Sequence, residues 1–120
     1  MTNGESVSPS EKPFADLPTV WQREAEIRAR LADRQPAVFL DYDGTLTPIV
    51  PDYTQAFLAQ EMRAAVDRLS RSCTVAIVSG RDLAMLQSLV GLDTVYYAGS
   101  HGFEIAGPAG SETTRFLCPA

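Results

Sequence analysis

The chain has 120 residues, 45% of them hydrophobic and 21% charged, enough for one small domain with a core and too few for two. Its net charge of −5 offers no basic surface for nucleic acid or anionic lipid. No apolar run approaches the roughly 20 residues of a membrane helix, so neither nucleic-acid nor membrane partners are expected.

Residues 1–18 are rich in Ser, Pro, Glu and Gly and read as a disordered arm. The arm has no basic start followed by an apolar run, so no secretory signal is expected. It holds the single lysine, Lys12; every other fixed positive charge is an arginine. Cys73 and Cys118 are far apart and in no metal-type spacing, which predicts free thiols in a reducing, cytoplasmic compartment. From Thr19, a possible N-cap, Val20, Ile27 and Leu31 recur at helical spacing until Pro36. Ala37 to Leu40 is a short unbroken apolar run that fits a strand covered on both faces. A proline-punctuated loop, Pro48 to about Tyr53, leads to an amphipathic helix marked by Phe57, Leu58, Met62, Ala65, Val66 and Leu69 and ending near Ser70. The stretch "CTVAIVSG" predicts a second strand stopping at Ser79–Gly80, and "RDLAMLQSLVG" a short helix closed by Gly91. Thr94 to Ala98 predicts a third strand, which stops at the Gly-Ser-His-Gly loop beginning at Gly99. Residues 103–120 read as the start of a hairpin or excursion.

Alternating apolar strands and helices predict an α/β fold, a parallel sheet with flanking helices and right-handed crossovers. The C-terminal ends of its strands then share one edge, where open α/β sheets bind ligands. That edge carries Asp41, Asp43 and Thr45, then Ser79, Gly80 and Arg81, then Gly99, Ser100, His101 and Gly102.

In an extended segment, residues two apart point the same way, so Asp41 and Asp43 face one site and Tyr42 points away. Gly44 then lets the backbone turn. Two carboxylates this close are tolerable beside a divalent cation, and Mg²⁺ is the candidate because it takes oxygen ligands from one or two carboxylates plus substrate phosphate. A carboxylate there can attack phosphorus to form an aspartyl-phosphate that water hydrolyses. Asp41, nearest the rigid strand, is the expected nucleophile. Asp43, further out, is the expected acid and base, with a proton affinity raised by partial desolvation and the neighbouring charge. Ser79 is positioned to donate to a phosphoryl oxygen, helped by neighbouring backbone N–H groups such as that of Gly80. Plainer roles exist for each: a turn-forming Asp43–Gly44 pair, Ser79 as a helix cap, His101 as a loop hydrogen-bonder, and Arg81 as a solvated residue in a first turn whose dipole disfavours it. The convergence of three strand ends favours the joint reading.

The stretch "DYDGTLTP" resembles the first motif, Asp-x-Asp-Gly-Thr, of the haloacid-dehalogenase-like phosphatase superfamily, and "AIVSGR" resembles its second. "YYAGSHGFEI" further resembles the trehalose-6-phosphate phosphatases, and the match runs from about Val38 to Gly107. The resemblance implies a partial Rossmann-like sheet, truncated before the cap and the C-terminal core. Residues 19–120 would be the N-terminal portion of that core, with a cap excursion beginning near 103–120. It implies Mg²⁺-dependent hydrolysis of a small phosphorylated sugar, trehalose 6-phosphate, in trehalose biosynthesis. On it, Asp41 is the nucleophile and a metal ligand, and Asp43 is the acid/base with its backbone carbonyl on the metal. Ser79 binds phosphate, with Thr45 and Gly80 beside it, and Arg81, His101 and Glu104 lie toward the substrate end.

The family's phosphate-pinning third motif and its metal-binding fourth both follow the cap. Neither is recognisable here: Lys12 precedes the matched motifs and Arg115 has no motif around it. A noncatalytic remnant or interaction module keeping the fold is therefore the competing reading, and one sheet edge is expected to be exposed. A phospho-receiver domain fits less well, because its acceptor aspartate should end the third strand, which here ends Ala98–Gly99. No oligomeric state is legible. The 120 residues alone are expected to be weakly active or inactive; robust Mg²⁺-dependent phosphate release would contradict this.

Overall fold

A computed structural model describes residues 13–111 and the backbone of 116–117. Residues 1–12 of the expected arm, with Lys12, and Arg115 and Cys118 lie outside the described residues. The chain divides into a unit ending at Arg34 and a unit beginning at Gln35.

In the first unit, Thr19 and Gln22 cap each other: the Gln22 N–H donates to Thr19 Oγ1 at 3.3 Å and the Thr19 N–H to Gln22 Oε1 at 2.8 Å. This reciprocal box satisfies two donors that helix formation would otherwise orphan. A 3₁₀ turn, Trp21–Arg23, then runs into helix α1, Glu24–Leu31. Arg28–Glu24 and Arg30–Glu26 pairs one turn apart line its exposed surface, and α1 buries no residue. The helix stops before the expected Pro36. Arg34 donates to the Leu31 carbonyl in a tight closing turn, and the residue before a proline is biased out of helix anyway.

The second unit is a mixed five-stranded sheet in the order β1-β2-β3-β4-β5. Strands β1 (Ala37–Asp41), β2 (Thr74–Val78) and β3 (Tyr96–Gly99) are parallel, as expected. Strands β4 (Glu104–Ala106) and β5 (Phe116–Leu117) continue it antiparallel, so a hairpin follows the third strand. Helix α2 (Gln60–Ser72) links β1 to β2 and packs on β2; helix α3 (Leu83–Val90) links β2 to β3 and packs on β3. α2 begins later than the apolar pattern suggested. Leu58 is buried ahead of it in the core, and Phe57 stays exposed.

The core gathers Tyr42, Val75, Ile77, Leu86, Val90 and Val95, all essentially inaccessible to solvent. Its burial is one-sided. β1 was expected to be covered on both faces, yet Phe39 is 72% exposed and opens onto an apolar groove with Ala76, Val78, Tyr96, Ala98 and Ile105. Among the described residues both helices that pack on the parallel strands cover the face Phe39 does not occupy. No helix of the described residues is long and apolar enough to cross a membrane.

Two glycines fix where α3 sits. Gly91 closes it in the left-handed conformation at φ 64°, as the sequence predicted. At Gly99 an added Cβ would stand 2.7 Å from the backbone of Leu83, so β3 ends against the start of α3 at a distance only glycine permits. Gly99→Ala is expected to destabilise the fold by about 1–3 kcal/mol in urea unfolding, because the backbone on the other side cannot swing away like a side chain. An unchanged midpoint would contradict that close approach.

Candidate active site

Asp41 is the last residue of β1, and Tyr42 turns into the core, where its hydroxyl donates to the Ala56 carbonyl. That anchor sends the flanking carboxylates of Asp41 and Asp43 outward, both exposed. The chain then reverses. Gly44 adopts φ 80°, its N–H donates to the Thr47 carbonyl, and the Leu46 and Thr47 N–H groups donate to the Tyr42 carbonyl. Thr45 Oγ1 stands 3.4 Å from Asp41 Oδ2, a long contact. Asp41 pairs with no cation among the described residues.

After β2, the Ser79 N–H donates to the Ala98 carbonyl and prolongs the parallel ladder by one residue. Ser79 is 5% exposed, and its Oγ accepts the Arg81 N–H at 3.1 Å. It does not cap α3. Asp82 does so, accepting the Met85 N–H at 2.7 Å, while the Ser79 hydroxyl serves as acceptor to the Arg81 N–H. The loop after β3 is fastened to this turn by the Ser100 N–H on the Arg81 carbonyl at 2.6 Å and the His101 N–H on the Ser79 carbonyl at 3.1 Å. These bonds hold Ser100 at φ 48° and His101 at φ 56°, a left-handed conformation that costs a non-glycine residue about 1–2 kcal/mol. The His101 ring lies against Gly80, where an added Cβ would come within 2.6 Å of it.

The dominant contact is between Arg81 and Asp43. Arg81 Nε donates to Asp43 Oδ2 at 2.9 Å and Nη2 to Oδ1 at 2.7 Å, a fork-on-fork pair. The guanidinium lies 5.6 Å from the Tyr42 ring centre and 5.5 Å from that of Tyr53, and its side chain is only 7% exposed. The Arg81 hydrogen bonds hold the Asp43 carboxyl below the usual carboxylate range, while Asp43 raises Arg81. This overturns the expected raised proton affinity of Asp43: burial does push it up, but a bidentate cation outweighs that.

Asp43, Gly80, Arg81 and His101, four of the residues singled out in the sequence, line one open cleft of about 460 Å³. Asp41, Thr45 and Ser79 sit at the strand ends beside these residues but not on its lining. Glu104, expected toward the substrate end, lies elsewhere: its Oε2 accepts the Leu83 N–H at 3.1 Å and the Ser100 hydroxyl at 3.0 Å, bracing the start of α3. The cleft also takes Tyr53, Asp82 and Met85, to which the sequence reading gave no role. Asp82 carried a usable signal, since it precedes the apolar run of α3 as an N-cap does. Tyr53 carried none, because its position depends on how the Pro48–Tyr53 loop folds back.

For a cation, this edge offers the Asp41 carboxylate and the Asp43 carbonyl, which takes no part in the turn's hydrogen bonds. No cluster of three His, Cys, Asp or Glu side chains forms among the described residues. So sparse an oxygen set fits Mg²⁺, which keeps waters and shares its ligands with substrate phosphate, and does not fit a structural zinc site.

A sequence profile of the trehalose-phosphatase family matches residues 39–118. The chain is 43% identical over 106 residues to a trehalose-phosphate phosphatase of Mycobacterium bovis BCG, covering 88% of this chain and 27% of that one. It thus spans about a quarter of the length of that relative. The C-terminal domain of Candida albicans trehalose-6-phosphate phosphatase superposes with a TM-score of 0.62 and 32% identity, over 76% of this chain and 32% of that one. A haloacid dehalogenase-like hydrolase from B. subtilis shares the fold with a TM-score of 0.52 at 20% identity, over 68% of this chain and 27% of that one.

The depressed Asp43 has a consequence for stability. Its contribution is fully present above the ordinary aspartate value of about 3.9 and is lost as pH falls through the lower folded value. Asp43 is 42% exposed, so screening limits the pair to the order of 0.5–1 kcal/mol. The urea stability difference between the parent and Arg81→Ala should therefore shrink on acidification below about pH 4. A difference independent of pH would contradict the pairing.

Proposed function

The chain belongs to the trehalose-phosphatase family, and from that premise we propose that it hydrolyses the phosphomonoester of a small sugar, trehalose 6-phosphate, through an aspartyl-phosphate at Asp41. The observation that carries the reading is the contrast between two neighbouring carboxylates. Asp41 ends β1 with no arginine or lysine paired to it among the described residues, which leaves its carboxylate oxygens open to phosphorus and to a metal, and Asp43 lies two residues on at the cleft.

In the first step a carboxylate oxygen of Asp41 attacks phosphorus, the bond from phosphorus to the sugar oxygen breaks, and Asp43, having left Arg81 and taken up a proton from solvent, delivers that proton to the departing alkoxide. In the second step Asp43 takes a proton from water as that water attacks phosphorus. Inorganic phosphate leaves and the Asp41 carboxylate is restored. Ser79 has its hydroxyl proton to offer a phosphoryl oxygen, and the Gly80 turn adds backbone N–H groups nearby. Mg²⁺, held by the Asp41 carboxylate and the Asp43 carbonyl, would supply the charge compensation that lets an anion approach a phosphate dianion. His101 and Tyr53 line the cleft where the sugar would lie.

A cytoplasmic setting belongs to the same proposal and is supported by the wide spacing of Cys73 and Cys118; Cys73 forms no disulfide among the described residues. An excursion toward a cap from residues 103–120 belongs to it as well, supported by the change from parallel to antiparallel pairing where β4 follows β3. Among the described residues the only arginine on the cleft is already paired, so turnover by these residues is expected to be slow. Whatever Mg²⁺-dependent phosphate release they support should fall to background in Asp41→Asn and by about 10²–10⁴-fold in Asp43→Asn. Release by Asp41→Asn at the parent's rate would rule out Asp41 as nucleophile.

A further inference from the structure

We propose that Arg81 is a latch that holds Asp43 until a phosphoryl group displaces it, so that substrate binding and release of Asp43 are one event. The inference rests on the reading of the cleft as the site of a phosphorylated substrate, and adds how that site is kept idle when empty.

The guanidinium is fixed in place. Tyr42 and Tyr53 flank it at 5.6 and 5.5 Å, and its side chain is 7% exposed although it lines an open cleft. Tyr42 is itself immobile, being fully buried and bonded to Ala56. The backbone of Arg81 is tied at its N–H by Ser79 and at its carbonyl by Ser100. Asp43, in contrast, is 42% exposed and sits on the turn that follows β1. In an exchange of partners it is therefore the carboxylate that moves and the arginine that stays.

Asp43 takes the side-on fork of Arg81, the Nε hydrogen and one Nη2 hydrogen. Nη1 faces the Met85 sulfur at 3.4 Å, a weak acceptor that does not engage the charge. A phosphate offers the same two-oxygen fork with more negative charge, so it competes for that side of the guanidinium directly. Among the described residues no other Lys or Arg lines the cleft, and Arg63 and Arg71 are engaged on the Val90 and Leu89 carbonyls and on Asp67. Among the described residues, a phosphoryl group arriving there meets the side-on fork of the guanidinium only once Asp43 lets go. Once displaced, Asp43 stands beside the anion that displaced it, where a proton donor to the leaving group has to be.

The test is a double-mutant cycle read by inorganic phosphate binding to the 120-residue protein, followed through the Arg81 Nε–H signal in NMR and by calorimetry. Asp43→Asn should tighten phosphate binding about five- to tenfold by freeing the arginine. Asp41→Asn removes the same charge two residues away without touching Arg81, and should tighten binding less than about twofold. The gain from Asp43→Asn should vanish in the Arg81→Ala background and survive in part in Arg81→Lys. In the parent, phosphate should shift the Arg81 Nε–H signal toward its position in Asp43→Asn saturated with phosphate. Equal gains from the two asparagine variants, or a gain that persists without Arg81, would overturn the latch. Such a result alongside Asp41-dependent hydrolysis would leave the hydrolytic reading standing. An intact cycle in a protein whose Asp41→Asn variant still hydrolyses would do the reverse.

Discussion

Two carboxylates placed two residues apart at a strand end repel each other, and among the described residues the site is organised by one cation, Arg81, that relieves this. Arg81 reaches across from the end of the neighbouring strand and takes Asp43 in a bidentate grip, leaving Asp41 alone. That division depends on the parallel pairing of β1 with β2, which brings Asp41 level with Val78 and so sets residues 41–43 beside 79–81. It also depends on β3, whose loop is bonded to both Ser79 and Arg81 and keeps the arginine's backbone from drifting. Gly80 and Gly99 admit the close approaches this requires, one to the His101 ring and one to Leu83.

The same arrangement explains the strain beyond β3. Ser100 and His101 are held in left-handed geometry by bonds to a turn that also carries the arginine. Glu104 then braces Leu83 and Ser100 together, so the start of α3, the Arg81 turn and the His101 loop behave as one rigid block. Charge development on a substrate would therefore meet groups already fixed, which is what electrostatic stabilisation requires. In the proposed latch the group that moves is the Asp43 carboxylate, the more exposed partner of the pair.

Much of this was legible in the sequence because it depends on local rules. The unbroken apolar runs ended where strands end, Gly91 closed α3, and Thr19 capped the first turn, each being a matter of neighbouring residues. The alignment of strand ends followed from the parallel topology alone. What could not be read was set by distant partners. Asp43 was expected to hold its proton more tightly, because its nearest charge in sequence is Asp41; its actual partner is 38 residues away and of opposite sign. Glu104 was placed toward the substrate end by the family resemblance alone, and its carboxylate accepts from the Leu83 N–H at the start of α3. The bare face around Phe39 was hidden as well, because a run of apolar residues reads the same whether one face of its strand is covered or both.

The central claim is a division of labour between two nearly adjacent carboxylates: Asp41 bonds to phosphorus and Asp43 moves protons. Borohydride trapping tests it most directly. The protein is incubated with trehalose 6-phosphate and Mg²⁺, reduced with borohydride, which converts an acyl phosphate to an alcohol, and mapped by peptide mass spectrometry. The account predicts the reduced residue at position 41, with Asp43 unmodified. Reduction at Asp43, or at another carboxylate with Asp41 intact, would contradict it.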